Sequence, residues 1–105
     1  MIITADEVRY EVRFYHDDPE LASMLGSRSR NTDCEIYEAS DYELNEDAVP
    51  LVVGTARCMY LDNFSRAKGC KLSFERAIAS FPRHTRTEFW REYFKIHTNG
   101  KRKGR

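Results

Sequence analysis

The sequence has none of the short motifs that carry familiar catalytic or nucleotide-binding chemistry. It contains no phosphate-binding loop, no nucleophile elbow, no metal-binding histidine pair and no glycine fingerprint after a strand. Its three cysteines are odd in number, and their spacing matches no zinc or disulfide framework. We therefore predict reduced, partly buried thiols, no metal, no cofactor and no catalysis.

Long apolar runs are also absent. The longest, residues 48–56, is interrupted by Pro50, Gly54 and Thr55 and is too short to cross a bilayer. Nothing near Met1 resembles a signal peptide. These absences predict a cytoplasmic protein with no membrane partner, and 105 residues suffice for one domain with a modest core.

Charge is abundant but unevenly distributed along the chain. Residues 1–50 carry 13 acidic and 4 basic side chains, whereas residues 51–105 carry 4 acidic and 13 basic ones, so charges of −9 and +9 cancel. Such a split indicates that the halves attract each other, alternate on the surface or face different partners. Segregated halves would also favour head-to-tail self-association, so a homo-oligomer is possible.

Three segments have the residue pattern of strands. Glu7–Tyr15 alternates apolar and charged side chains, which is typical of a half-buried strand. Cys34–Ala39 is predicted to be a second strand, and the β-branched run Leu51–Met59 the central strand of the sheet. Gly54 within that run indicates a bulge or the close approach of another backbone.

The segments between these strands are polar. Asp18 and Pro19 predict the start of a short helix that Gly26 ends. Residues Ser27–Asp33 and the acidic residues Ser40–Asp47 are predicted to be surface loops. The two arginines of the first loop either are solvated or contact phosphate, and the second loop is either solvated or a partner contact.

A long amphipathic helix is predicted over Asp62–Phe81. Its apolar side chains recur at helical spacing, with Asp62 as N-cap and Pro82 after its end. The opposite face carries small and basic residues, among them Gly69, Ser73 and Arg76. This face is exposed to solvent, packs against a second subunit or binds an anion.

A second helix containing Glu88–Ile96 is rich in aromatic residues, a pattern that favours core or subunit interface over base stacking. Residues 98–105 are predicted to be a flexible basic tail. The predicted fold is α+β: one domain over residues 1–97, in which a small antiparallel or mixed sheet packs against the long amphipathic helix and the aromatic C-terminal helix.

The candidate site is a phosphate-binding surface on the last predicted strand and the long helix. Guanidinium groups match phosphate oxygens, the helix N-terminus offers free N–H donors, and an aromatic ring could stack on a base. The capping carboxylate of Asp62 works against an anion there, and the same residues also fit a solvated helix. The predicted ligand-binding residues are Arg57, Asn63, Phe64, Arg66, Gly69, Lys71, Ser73 and Arg76.

Residues 57–77 carry a pattern that resembles one in small phage accessory proteins. It consists of Arg57-Cys58, Asp62-x-Phe64, Gly69 and Arg76-Ala77, with Cys70 where such proteins usually have a basic residue. The pattern is similar to that of the Thoeris anti-defence family, whose members sequester cyclic ADP-ribose signals. The resemblance implies oligomeric, non-catalytic capture of a signal nucleotide, with Arg76 as the most transferable position.

Together these patterns predict a small phage-type counter-defence protein that acts in the host cytoplasm. It would inhibit by binding and sequestering a signal nucleotide or a host defence protein, without catalysis. The alternative is a nucleic-acid-binding accessory protein that uses the basic C-terminal half. An enzyme would require the fold to bring His16 or His84 together with carboxylates.

Overall fold

The computed structural model describes residues 1–17, 29–59 and 66–103. The described strands form one antiparallel sheet in the order β1-β2-β3-β4. The predicted α+β class, with a long helix and an aromatic C-terminal helix, is confirmed, and of the predicted antiparallel or mixed sheet the structure has the antiparallel form. The elements in chain order are β1 (Ile2–Ala5), β2 (Val8–His16), β3 (Ser29–Glu38), α1 (Ala39–Leu44), β4 (Val52–Met59), α2 (Arg66–Ile78) and α3 (Arg83–Lys103).

The sheet begins with a hairpin whose first strand, β1, the sequence patterns did not predict. Ala5 pairs with Val8, so only Asp6 and Glu7 form the turn. Both have positive φ, 51° and 63°, as in a type I′ turn, whose twist matches that of the flanking strands. The strand predicted over Glu7–Tyr15 is confirmed as β2, which begins at Val8 and continues to His16.

Residues Ser29–Asp33 belong to β3, so the loop predicted for this part of the chain is wrong. Thr32 pairs with His16 on one side and with Ala56 on the other, which stabilises the strand on both edges. The polar residues that suggested a loop alternate with buried ones. Thr32 is buried towards the helices, whereas Asp33 lies on the opposite face. Residues 27–28 and the helix predicted between Asp18 and Gly26 lie outside the described residues.

The acidic segment Ser40–Asp47 is helical in its first half, which corrects the predicted loop. Helix α1 packs its Tyr42 ring against Tyr37 of β3, with centroids 4.8 Å apart. The Arg13 guanidinium of β2 lies 5.8 Å from the same ring. An aromatic contact and a cation thus hold α1 against the sheet face that the longer helices leave open.

Strand β4 lies at an edge of the described sheet and is not its central strand. Val53 is 53% exposed, and Thr55 and Arg57 are also exposed, whereas Gly54 and Ala56 are buried. The run is therefore half buried, and its apolar composition does not reflect burial of both faces. The small residues on its inner face lie beneath α2.

Helices α2 and α3 cover one face of the sheet and form the core with it. Phe74 of α2 is fully buried at the centre. Its ring centroid lies 4.7 Å from that of Tyr93, 5.0 Å from that of Trp90 and 5.9 Å from that of Phe89, all on α3. Helix α2 is described from Arg66, and Ile78 ends it before Phe81, which packs on Tyr10.

Helix α3 is longer than predicted. It begins at Arg83, and its backbone stays helical through residues 98–103, which were predicted to form an irregular tail. Gly100 does not end the helix, although glycine is a common helix stop. Among the described helices, none is both long enough and apolar enough to cross a membrane.

We expect Gly54→Ala to destabilise the fold strongly, by about 3 kcal/mol. The added methyl group would meet backbone atoms of Ser73 and Ala77, which cannot move unless α2 as a whole shifts. Urea denaturation followed by circular dichroism measures the loss. Val53→Ala, a control at an exposed neighbouring position, should change the free energy of unfolding by about 1 kcal/mol or less. Equal losses in the two variants would contradict the contact.

Candidate functional site

The small-residue face of α2 packs against the sheet. A Cβ on Gly54 would collide with backbone atoms of Ser73 and Ala77, so the strand and the helix touch at their main chains. A Cβ on Gly69 would collide with the side chain of Thr32 in the same way. From the sequence, this face could be exposed to solvent, packed against a second subunit or bound to a phosphate. In the structure it packs against the sheet of the same chain.

Two of the predicted ligand-binding residues belong to this helix–sheet contact. Ser73 is fully buried, and its hydroxyl donates to the Cys70 carbonyl oxygen at 3.1 Å. Gly69 lies against Thr32. Ser73 therefore offers no surface to a ligand, which corrects its predicted role, and the side of Gly69 where a Cβ would stand is occupied by Thr32.

Of the other predicted residues, the three whose side chains the structure describes, Arg57, Lys71 and Arg76, do not converge on one pocket. Arg57 is exposed on the open face of the sheet, away from the helices. Arg76 donates to the Thr55 carbonyl oxygen at 2.6 Å, and Lys71 Nζ lies 5.5 Å from the centre of the Phe94 ring. The Arg66 side chain lies outside the described part of the structure, as do Asn63 and Phe64.

The charge asymmetry of the sequence is found mainly in the helices and the turns. The strands carry four acidic and four basic residues, so they are balanced in charge, and α1 adds two acidic ones. The described side chains of α2 and α3 include seven basic and three acidic residues. Among ion pairs between described residues, one joins the sheet layer to the helical layer, His84 Nε2 to Asp6 Oδ2 at 3.8 Å on the surface. The helical layer therefore presents a net positive surface, whereas the strands have no net charge.

A groove of about 380 Å³ runs between α2 and α3. This α2–α3 groove combines apolar side chains with cationic and hydroxyl groups. Arg83 and Thr87 also line a more open depression of about 650 Å³, together with His84, Glu88 and Arg91. The α2–α3 groove is lined by Ile78, Ala79, Trp90, Glu75, Arg83, Arg86 and Thr87.

The guanidinium groups of the groove are available to a ligand. Within the described residues, neither Arg83 nor Arg86 has an ion-pair partner. Glu75 is the groove's one carboxylate, and it offsets part of their charge. Trp90 is half-buried, and Phe94 stacks on it with ring centroids 5.4 Å apart. The groove thus contains a positive excess and an aromatic ring.

A second cluster lies where the end of β2 meets β3 and α2. Thr32 Oγ1 lies 2.9 Å from His16 Nδ1, and Cys70 Sγ lies 3.7 Å from His16 Nε2. Thr32 is buried, whereas His16 and Cys70 are each partly exposed. The fold therefore gives His16 a thiol and a hydroxyl as neighbours, and it gives His84 the carboxylate of Asp6. Among the described residues, no group of three or more is placed to hold a metal ion.

Burial keeps two groups near this cluster, Cys34 and Tyr93, in their neutral forms. Burial, with Cys70 nearby, raises the pKa of the Cys34 thiol from 9.0 to about 12. Burial likewise raises the pKa of the Tyr93 hydroxyl from 10.0 to about 12, with smaller contributions from Cys70 and Cys34. Both groups are therefore neutral near pH 7.

Sequence reasoning missed both the groove and the cluster. The groove unites residues from two helices with residues of the turn between them, which no local spacing reveals. The cluster depends on Thr32, which was assigned to a loop. The alternation of Thr32, Cys34 and Ile36 with charged residues was a signal that could have extended the strand.

Comparison with known proteins returns no match for this chain among family models, curated proteins or solved structures. The site is therefore interpreted from its own geometry and charge.

We expect the free energy of unfolding to fall as the pH rises from about 9 towards 12. The folded state raises the pKa values of Cys34 and Tyr93, so the unfolded chain releases these protons at lower pH. Their stabilising contribution is therefore complete below about pH 9 and is lost as the pH approaches 12. Denaturant titrations at a series of pH values measure the slope of the free energy of unfolding against pH.

Cys34→Ala tests the origin of this slope. The variant should flatten it between about pH 9 and 10, where Cys34 titrates in the unfolded chain before Tyr93 does. A stability that is constant with pH, or a slope that this variant leaves unchanged, would contradict a buried neutral thiol.

Proposed function

We propose that this protein acts by binding a phosphate-bearing ligand in the α2–α3 groove, with a host signal nucleotide as the leading candidate. In this proposal it is a small phage-type counter-defence protein that sequesters the signal in the host cytoplasm without converting it. The observation that carries the proposal is that Arg83 and Arg86, which have no ion-pair partner among the described residues, line one groove with Trp90.

The size and chemistry of the groove support a small anionic ligand. Its volume of about 380 Å³ lies within the range of about 300–1,000 Å³ typical of small-molecule sites. Arg83 and Arg86 can each form bidentate bonds with phosphate oxygens. Arg83 is also the first residue of α3, where the helix dipole favours negative charge.

Trp90 supports a ligand that also carries a base. An indole ring offers a surface on which any nucleobase can stack, and such stacking contributes about 1–3 kcal/mol per base. The ring is already ordered by its edge contact with Phe74 and its stacking on Phe94. Binding would therefore need little further ordering of this side chain.

The positive charge of the helical layer would assist capture. A positive helical layer attracts an anion from a distance and increases its rate of association. The strands have no net charge and would attract the anion less, so encounters would concentrate on the helices. Head-to-tail contact between the positive helical layer and the acidic residues of α1 and the turns is the proposed route to an oligomer, and light scattering at low and moderate salt measures it.

Nucleic acid is the second candidate ligand, and the length of α3 favours it. The helix backbone continues to Lys103, and residues 101–103 are all basic in the sequence. A phosphate backbone could contact the groove and this basic segment together. Its binding would weaken steeply as salt rises.

Isothermal titration calorimetry against a panel of linear and cyclic nucleotides tests the proposal. We expect at least one nucleotide to give a saturable heat. The double variant Arg83→Ala, Arg86→Ala should weaken its affinity at least about tenfold, because it removes two charged hydrogen-bonding groups. Arg57→Ala, a control on the opposite face of the sheet, should leave the affinity unchanged.

The outcomes separate the two candidate ligands. Absence of heat with every nucleotide would contradict nucleotide capture. A gel shift with DNA or RNA at low salt, abolished by the double arginine variant, would then support the nucleic-acid alternative. No heat and no shift would contradict both functions of the groove.

A further inference from the structure

Cys70 has a hydrogen-bonded base beside it, and the base has a fixed partner of its own. Cys70 Sγ lies 3.7 Å from His16 Nε2, within the range of a hydrogen bond to sulfur. On the other side of the ring, His16 Nδ1 lies 2.9 Å from Thr32 Oγ1. A thiol, an imidazole and a hydroxyl therefore lie in one hydrogen-bonded row, the order that activates nucleophiles in many enzymes.

We propose that Cys70 is a nucleophilic thiol that forms covalent adducts with electrophilic carbon, with His16 as its base and Thr32 as the positioning residue. This site is separate from the α2–α3 groove, and the proposal does not depend on nucleotide binding.

The position of Thr32 explains how the imidazole would be held. Thr32 is 1% exposed and is paired between β2 and β4, so its hydroxyl cannot swing away. Gly69 of α2 lies against the same side chain, which brings the helix carrying Cys70 close to the strand. The backbone contact between helix and sheet thus sets the separation of sulfur and ring.

The Thr32 hydroxyl can also accept a hydrogen bond from the charged form of the His16–Cys70 pair. When His16 takes the thiol proton, both ring nitrogens carry hydrogen, and Nδ1 then donates to Thr32 Oγ1 while Nε2 donates to the sulfur. An imidazolium beside a thiolate favours the ionised thiol. No ring N–H is left without an acceptor, so proton transfer costs little hydrogen bonding.

The covalent step is balanced in bonds, electrons and protons. The Cys70 sulfur attacks the carbon and forms a carbon–sulfur bond, while the bond from that carbon to its leaving group breaks. The leaving group departs with the electron pair, and the thiol proton stays on His16 until solvent removes it. No oxidant or reductant takes part.

The groups around the pair are compatible with an anion on Cys70. Cys34 on β3 and Tyr93 on α3 interact with it electrostatically, and burial keeps both neutral near pH 7. The carboxylate of Asp17, which follows His16, accepts a hydrogen bond from the Asn31 backbone at 2.9 Å. On α2 itself, Lys68 and Lys71 flank Cys70 in sequence and carry positive charge.

Cys34 provides an internal reference. It is fully buried, and burial raises the pKa of its thiol to about 12. Among the cysteines whose side chains the structure describes, the reagent therefore meets one partly exposed thiol beside a base, Cys70, and one buried neutral thiol, Cys34. Peptide mass mapping after digestion separates the adducts of individual cysteines.

Alkylation by iodoacetamide at about pH 6.5 tests the proposal. An ordinary thiol with pKa near 8.5 is only about 1% ionised at this pH. We expect Cys70 in the folded protein to react at least about tenfold faster than Cys70 in the urea-unfolded chain, and Cys34 to remain unmodified. His16→Gln should remove the difference, Thr32→Val should reduce it, and Thr32→Ser should preserve it.

Two results would overturn the proposal: a folded-state rate for Cys70 no higher than the unfolded rate, or a folded His16→Gln protein that reacts like the wild type. If His16→Gln does not fold, Cys70→Ser replaces it, since it changes a single atom. Nuclear magnetic resonance should then show the His16 ring protonated to higher pH in the wild type than in Cys70→Ser. Equal titration of the ring in both proteins would also overturn the proposal.

Discussion

The structure depends on one close contact, between β4 and the backbone of α2. Because Gly54 has no side chain, main-chain atoms of Ser73 and Ala77 lie directly on the strand. Gly69 allows the same approach over Thr32. With the helix this near the sheet, Phe74 is buried completely, and removing such a side chain from water contributes about 1.5–3 kcal/mol. The contact therefore determines how closely α2 packs on the sheet, and so how completely Phe74 is buried.

The positive charge of the helical layer follows from a sheet covered on one face. The apolar side chains of both halves of the chain meet in a common core, so the basic side chains of α2 and α3 are left on the outer surface of these helices. On the open face of the sheet, opposite charges sit across from each other, as Arg13 does from Glu35. The helical layer has few carboxylates that could pair with its basic side chains. Its guanidinium groups face water, and the α2–α3 groove has a positive excess.

Much of the fold could be predicted because its periodicities are strong. The alternation that ends at Tyr15 and the apolar stripe through Phe74 and Ile78 each bury one face, and both are found in the structure. Gly54 was predicted to mark either a bulge or a close approach, and the structure shows the close approach. The prediction failed where polar residues belong to regular structure. Thr32 is a buried hydroxyl in a strand, and the acidic α1 is stabilised by Tyr42, a contact with the sheet that no local pattern reports.

The candidate site could be predicted less well than the fold, because the rotation of α2 about its axis decides it. Gly69, Ser73 and Ala77 share one side of the helix, and small residues suit either a ligand or a packed backbone. Neighbouring strands resolve that ambiguity, since Gly54 and Thr32 complement this side. Once it faces the sheet, the same rotation directs Cys70 to His16 and places Ile78 and Ala79 at the groove. The packing that closes the predicted pocket therefore positions both sites proposed in its place.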